Sequence, residues 1–204
     1  MLIFPGRNKP GPGKVCVMSD ILENIRKNPV IAAVRKETDL IKALESDALT
    51  VFLLNGDIFN IKKMADQVKG SGRQVFIHVD LIEGLGRDNK AIDYIAGVVR
   101  PTGILSTKSS SIKHAMEKGI FSIQRFFLVD SLSYDTAVKT AAAARPDVVE
   151  IMPAVMPSVI RRICGELSMP VIAGGLIETR EDIIEALKAG CIGASTGRPE
   201  LWSC

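Results

Sequence analysis

The segment 148–195 decides the fold, because three short apolar runs alternate in it with two stretches of helical spacing. The apolar runs are Val-Val-Glu-Ile-Met (148–152), Val-Ile-Ala (171–173) and Cys-Ile-Gly-Ala-Ser (191–195). The helical stretches are residues 157–167 and 179–189. Short, mostly unalternated β-branched runs are typical of strands that are buried on both faces. Strands that alternate with helices in this way predict right-handed crossovers and a parallel sheet.

The same alternation extends toward the amino terminus. Five further apolar runs occupy residues 29–34, 49–54, 74–80, 103–106 and 123–129. Eight strand–helix units in one chain of 204 residues predict an α/β fold, a single closed (β/α)8 barrel of the TIM type with parallel strands. The last helix must be short, because only seven residues follow Gly197. A doubly wound open sheet is the alternative, but its two edge strands should look polar or proline-blunted, and no terminal run does.

Composition limits the class of protein further. Hydrophobic residues make up 47% of the chain and charged residues 24%, which excludes intrinsic disorder. No run of about 18 uncharged apolar residues exists, so no membrane partner is predicted. A net charge of +3, from 26 basic and 23 acidic residues, neither requires nor excludes a nucleic-acid partner.

Residues 1–19 differ in character from the rest of the chain. Pro5, Pro10 and Pro12 lie there among three glycines, which is incompatible with a helical transit peptide or a secretory signal. We therefore expect a flexible Pro/Gly-rich leader over 1–19, a barrel domain over 20–204 and a cytoplasmic location.

No catalytic or metal-binding constellation can be recognised. The four cysteines, at positions 16, 164, 191 and 204, match no metal motif, and reduced thiols are expected. No Ser-His-Asp set, histidine cluster or mid-strand Schiff-base lysine occurs. The sequence thus predicts no catalytic residue, no metal and no cofactor.

Two neighbouring loops predict an anion site. In TIM barrels the loops after the seventh and eighth strands commonly form a phosphate site. Here those loops carry Gly174 and Gly175, then Ser195, Thr196 and Gly197. Glycines let backbone N–H groups approach an anion closely, and the hydroxyls add donors. The alternative is that these glycines only make tight turns.

Four charged residues near other strand ends are further ligand-binding candidates. Lys108, after the fourth strand, is a candidate point charge for the same anion or a solvated lysine. Arg125 lies within an apolar strand and needs a partner, and Glu150 on the next strand predicts an ion pair inside the barrel. That pair is either structural or ligand-binding. Asp80 could contact a ligand hydroxyl or act as a base, whereas His78 beside it suits a core position.

Motifs at successive strand ends resemble the glycerol uptake operon antiterminator regulatory protein family. They are His-Val-Asp-Leu-Ile-Glu-Gly (78–84), Gly-Ile-Leu-Ser-Thr-Lys (103–108), Ile-Gln-Arg-Phe-Phe-Leu-Val-Asp-Ser (123–131), Val-Glu-Ile-Met-Pro (149–153), Ile-Ala-Gly-Gly-Leu-Ile (172–177) and Ser-Thr-Gly (195–197). The resemblance runs in order over about residues 29–202. It departs from the family pattern at Ala154, where glycine is usual, and at Gly197, where a second serine or similar residue is usual.

The resemblance implies a transcription antitermination regulator that binds glycerol 3-phosphate as its effector and the leader mRNA of a glycerol-utilisation operon. It implies that Gly174, Gly175, Ser195 and Thr196 hold the phosphate. Asp80, Lys108, Arg125 and Glu150 would then line the glycerol end or shape the pocket.

Two other functions compete with this one, and the RNA surface is not specified. A TIM-barrel enzyme acting on a small phosphorylated triose or glycerol compound is the first, and a metabolite-binding barrel with a protein partner is the second. Aromatic residues are only 5% of the chain, so base stacking is not indicated. The basic candidates are residues 26–27, 62, 63 and 69, and 161–162, each also compatible with a solvated helix face. The sequence leaves self-association into a homo-oligomer open.

Overall fold

Eight parallel strands close into a barrel in the computed structural model, which describes residues 12–203. The strands are β1 (Val30–Val34), β2 (Thr50–Leu53), β3 (Gln74–His78), β4 (Gly103–Ser106), β5 (Phe121–Phe127), β6 (Val148–Met152), β7 (Val171–Gly174) and β8 (Gly193–Thr196). Each strand pairs with the next along the chain, and β8 pairs with β1. The predicted single (β/α)8 barrel is confirmed.

One helix precedes the first strand, and the others occupy the connections between the strands. They are α1 (Pro12–Lys27), α2 (Glu37–Glu45), α3 (Ile61–Gly70), α4 (Asn89–Tyr94), α5 (Ser109–Glu117), α6 (Ser131–Ala144), α7 (Pro157–Glu166) and α8 (Arg180–Lys188). A π-helical segment, Ile95–Val99, continues α4. A single 3₁₀ turn, Pro199–Leu201, follows β8, in agreement with the short last helix that the sequence predicted.

Helix α1 precedes the first strand, and it begins inside the segment predicted to be a flexible leader. Residues 12–19 are helical, so the leader boundary at residue 19 was wrong. A proline is compatible with the first turn of a helix, where its missing N–H has no intrahelical acceptor to lose. The remainder of that prediction, for residues 1–11, lies outside the described residues.

The apolar core consists of two clusters, one on each side of the strands. The larger cluster lies between the strands and the surrounding helices. The smaller one fills the barrel interior, where the rings of Phe52, Phe76 and Phe121 meet edge to face at centroid distances of 5.6 and 5.7 Å. Alternate residues of one strand enter the two clusters, as the two-residue period of a strand requires.

Helix α1 packs against the amino-terminal end of the interior cluster. Its residues Ile21 and Ile25 are buried among the interior side chains. A methyl group at Gly193 would come within 3.0 Å of the Ile25 side chain, which shows how closely the helix approaches the start of β8. The amino-terminal end of the barrel is thus closed by apolar packing, and the polar interior groups lie toward the carboxyl ends of the strands.

Candidate functional site

A cavity of about 250 Å³ lies at the carboxyl ends of β7, β8 and β1. This volume is about eight times the space that one water molecule occupies in the liquid, which is room for a small organic anion. Its lining residues are Arg35, Gly175, Leu176, Ile177, Glu178, Ser195, Thr196, Gly197 and Arg198. Of the five residues predicted to hold a phosphate, Gly175, Ser195, Thr196 and Gly197 line this cavity.

The loops after β7 and β8 carry unpaired backbone donors at residues that line the cavity. Gly175 has a φ of +77° and Leu176 a φ of +59°, so two consecutive residues are left-handed and the chain turns sharply there. The amide N–H groups of Gly175, Leu176 and Gly197 have no hydrogen-bond acceptor among residues 12–203. Unpaired amides on adjacent loops are the donors that anion sites use.

Gly174 is placed differently from the other predicted phosphate residues. It is the last residue of β7 and faces the barrel interior, where a methyl group would lie 2.5 Å from Oγ of Ser195 and 2.7 Å from Oε1 of Glu150. Gly174 therefore does not line the cavity. It provides the space in which Ser195 and Glu150 meet.

A buried polar network links the cavity to the barrel interior. Nε of Arg125 donates to Oε2 of Glu150 at 2.6 Å, and Oγ of Ser195 donates to Oε1 of the same carboxylate at 2.6 Å. The ion pair predicted between Arg125 and Glu150 is present. Neither of these two residues lines the cavity, and Ser195 is their connection to it.

His78 completes the polar layer of the interior. It is 2% exposed and lies at the end of β3. Burial, together with the positive charge of Arg125, lowers the pKa of His78 to about 4, so the imidazole is neutral near pH 7. Nδ1 of His78 and Nη2 of Arg125 are buried without a hydrogen-bond partner.

Asp80 fastens the loops that follow β3 and β4. It lies in a 3₁₀ turn, Val79–Leu81, because β3 ends at His78 and does not continue to residue 80 as expected. Its carboxylate accepts hydrogen bonds from Oγ of Ser106 at 3.0 Å and from N and Oγ1 of Thr107 at 2.7 and 3.0 Å. Nζ of Lys108 lies 3.9 Å from the same carboxylate. In a ring of eight strands β4 lies opposite β8, so Lys108 is placed across the barrel from the cavity.

Thr196 shapes the loop after β8. Its hydroxyl donates to the carbonyl of Ile177 at 3.2 Å and accepts from the amide of Arg198 at 3.2 Å. These bonds hold the β7 and β8 loops together, so the hydroxyl predicted to hold phosphate already has partners within the chain.

Arg35 and Arg198 are cavity residues that sequence reasoning missed. Arg35 directly follows β1, and Arg198 follows Gly197. Arg198 pairs with Glu178 at 2.9 Å and with Glu200 at 3.7 Å. Because β1 pairs with β8 in a closed barrel, the residue after the first strand had to lie beside the β8 loop. That closure was the signal that could have identified Arg35.

Two kinds of site have no counterpart in the described structure. Among the side chains of residues 19–203, no group of three or more His, Cys, Asp or Glu is arranged to hold a metal ion. No helix in the same range is both long enough and apolar enough to cross a lipid bilayer.

Fold and site together define a small (β/α)8 barrel with a polar cavity at the carboxyl ends of β7, β8 and β1. A family model described as "Glycerol-3-phosphate responsive antiterminator" matches residues 30–202, and the chain belongs to that family. The resemblance noted in the sequence is thereby confirmed.

The chain is also similar to one protein of known sequence and to two solved structures that are described as antiterminator proteins. The chain is 38% identical to the uncharacterized protein YgcP of Escherichia coli (strain K12), over 90% of this chain and 96% of that protein. It is similar to the glycerol uptake operon antiterminator regulatory protein of Listeria monocytogenes, with 32% identity, a TM-score of 0.83, and coverage of 86% and 95% of the two chains. A glycerol uptake operon antiterminator-related protein of Thermotoga maritima shows 33% identity, a TM-score of 0.75, and coverage of 85% and 96%.

Proposed function

We propose that this protein is an antitermination regulator that binds glycerol 3-phosphate in the β7–β8–β1 cavity and binds the leader mRNA of a glycerol-utilisation operon. The observation that carries the proposal is the coincidence of the family match with a cavity suited to an anion. Unpaired amides of Gly175, Leu176 and Gly197 supply neutral donors there, and Arg35 supplies positive charge.

The interior network supports a role for the cavity in sensing. A ligand that contacts the hydroxyl of Ser195 contacts a group that is hydrogen-bonded to Glu150. Glu150 is in turn paired with Arg125. In the proposed function, Ser195 is the residue through which a bound ligand acts on the buried groups of β5 and β6. A ligand that binds two conformations differently shifts their equilibrium by that difference in free energy.

The RNA surface is the less specified half of the proposal. Several predicted basic candidates are already paired, because Lys62 and Lys69 contact Asp66, and Arg162 contacts Glu166. Lys63 and Arg161 make no ion pair with any side chain between residues 19 and 203. Support for RNA binding thus comes from the family and not from one concentrated basic patch.

The competing enzymatic function has no specific observation in its favour. Asp80 accepts hydrogen bonds from Ser106 at the end of β4 and from Thr107 in the loop after it, and Glu150 is fully buried in an ion pair. Neither carboxylate lines the cavity, where a base would have to meet its substrate.

A titration of leader transcript with protein tests the proposal directly. It should be run with and without glycerol 3-phosphate, at two salt concentrations, with glycerol and inorganic phosphate as control ligands. We expect glycerol 3-phosphate to tighten RNA binding, and high salt to weaken it, because phosphate contacts release counterions. Absence of a ligand-dependent change at both salt concentrations contradicts gated RNA binding. Turnover of the phosphate ester in the same mixtures would instead support the enzyme.

A further inference from the structure

Arg35 and Gly197 lie side by side at the mouth of the cavity. Strand β1 pairs with β8 through Ala32 and Thr196, so the loops that begin at Arg35 and Gly197 leave the barrel next to each other. A methyl group at Gly197 would lie 2.9 Å from Nε and 3.1 Å from Cζ of Arg35. The arginine side chain thus occupies the space that a side chain at position 197 would take.

The guanidinium of Arg35 has no partner among the side chains that the structure describes, residues 19–203. No hydrogen bond or ion pair joins it to any residue between 19 and 203, whereas Arg198 on the same cavity pairs with two glutamates. A guanidinium presents its N–H donors as a planar fork that matches two oxygens of a phosphate group. The free amides of Gly175 and Gly197 lie on the same cavity and add donors that carry no charge.

We propose that Arg35 is the side chain that binds the phosphate group of the ligand, and that Gly197 is the residue that leaves room for it. This inference rests on the proposed function for the identity of the natural ligand, but the anion chemistry of Arg35 can be measured separately. Selectivity for a phosphate ester over its free alcohol then depends on Arg35, which lies in the loop after β1 and not in the glycine-bearing loops after β7 and β8.

Calorimetric titration of the full chain with glycerol 3-phosphate, inorganic phosphate and glycerol tests this inference. Loss of a charge-assisted contact should weaken binding of the phosphate compounds by about tenfold to a hundredfold in Arg35→Gln. Arg35→Lys keeps the positive charge but loses the planar set of N–H donors. Its phosphate affinity should therefore lie between that of the unsubstituted protein and that of Arg35→Gln. Lys36→Gln is the matched control, because Lys36 is the next residue, is exposed and does not line the cavity.

A second pair of variants tests the role of Gly197. In Gly197→Ala the added methyl group displaces the Arg35 side chain, so phosphate affinity should fall. In the Arg35→Gln background the same substitution should have a clearly smaller effect, because the side chain that it displaces is already changed. Equal effects in both backgrounds overturn the assignment of Gly197. Circular dichroism of each variant shows whether the fold is retained.

The outcomes separate this inference from the proposed function. If the unsubstituted protein binds glycerol 3-phosphate and Arg35→Gln binds it equally well, the inference is wrong and the proposed ligand stands. If inorganic phosphate binds through Arg35 but glycerol 3-phosphate does not bind, the inference holds and the proposed ligand is wrong. If neither phosphate compound binds the unsubstituted protein, both are wrong.

Discussion

Arg125 and Glu150 are register partners on β5 and β6, and they form an ion pair inside the barrel with Nε 2.6 Å from Oε2. Both side chains are withdrawn from solvent, at 5% and 0% exposure. A buried charge is tolerable only while its partner is present, since removal of one member leaves the other without compensation.

Glu150→Gln should therefore destabilise the protein strongly. We expect the free energy of unfolding to fall by about 3–5 kcal/mol, because the substitution leaves the Arg125 charge buried and unpaired. Denaturant unfolding measures the change. Glu185→Gln, which breaks the exposed pair with Lys188, is the control and should cost no more than about 1 kcal/mol. If both variants lose a similarly small amount of unfolding free energy, the interior pair contributes no more to stability than an exposed pair.

Gly174→Ala tests whether this glycine keeps the interior network in place. The added methyl group would lie 2.5 Å from Oγ of Ser195 and 2.7 Å from Oε1 of Glu150, so one of them must move. Overpacking of this kind costs about 1–3 kcal/mol. Gly165→Ala is the control: it lies in α7 with no atom within 4 Å of the added methyl, and should stabilise by about 0.5–1 kcal/mol. Unfolding curves that rank the two variants in the opposite order contradict this assignment.

The strand pattern was predictable from the sequence, and the function of single loop residues was less so. Eight β-branched runs that alternate with helices can form only a few parallel sheets. The Arg125–Glu150 pair was predictable because each residue is a charged residue in an otherwise apolar strand, and the two strands are consecutive in the chain. Gly174 was expected in the loop because the seventh strand was expected to end at Ala173, whereas β7 includes Gly174. A strand one residue longer turns Gly174 from a loop residue into an interior one, since strand faces alternate at every residue.

Contacts between distant segments explain the other misses. Helix α1 was not predicted, because prolines and glycines precede it and overlap its first turn. Ile21 and Ile25 of this helix pack against interior residues that are distant in the sequence, so the local sequence does not indicate these contacts. Arg35 was overlooked because no glycine or hydroxyl marks the end of β1. Its position in the cavity depends on closure of the sheet from β8 back to β1.

Ile25→Ala tests the packing of α1 against the barrel interior. Ile25 is fully buried, and truncation of a buried isoleucine typically costs about 2–5 kcal/mol through lost burial and a residual cavity. Ile41→Ala on α2 is the matched control, because Ile41 is 63% exposed and its truncation should change the free energy of unfolding by about 0.5 kcal/mol or less. Equal, small changes in both variants would mean that α1 contributes little to stability.

Asp80→Asn should loosen the connection between the loops after β3 and β4. The carboxylate accepts hydrogen bonds from the amide and hydroxyl of Thr107, and an amide side chain replaces one of its acceptor oxygens by a donor. Hydrogen exchange at the Thr107 amide should become faster, while the Lys90 amide, bonded to Asp88, provides an internal reference whose rate should stay the same. Unchanged exchange at Thr107 would remove the bracing role assigned to Asp80.

His78 should make the stability of the protein depend on pH between 6.5 and about 4. Burial and the charge of Arg125 lower its pKa in the folded protein from 6.5 to about 4, so in this interval the unfolded chain binds a proton that the folded chain does not. Stability therefore falls as the pH falls through the interval, and at about 1.4 kcal/mol per pH unit the total loss is about 3–4 kcal/mol. Above pH 6.5 the imidazole is neutral in both states, so it does not make stability depend on pH.

The free energy of unfolding should be measured from pH 7.5 to 4 for the unsubstituted protein and for His78→Asn. Carboxylates titrate in the same range in both proteins, so the difference between the two curves gives the contribution of the histidine. Parallel curves would show that His78 takes up its proton equally readily in the folded and unfolded chain, and that the barrel interior does not hold it neutral.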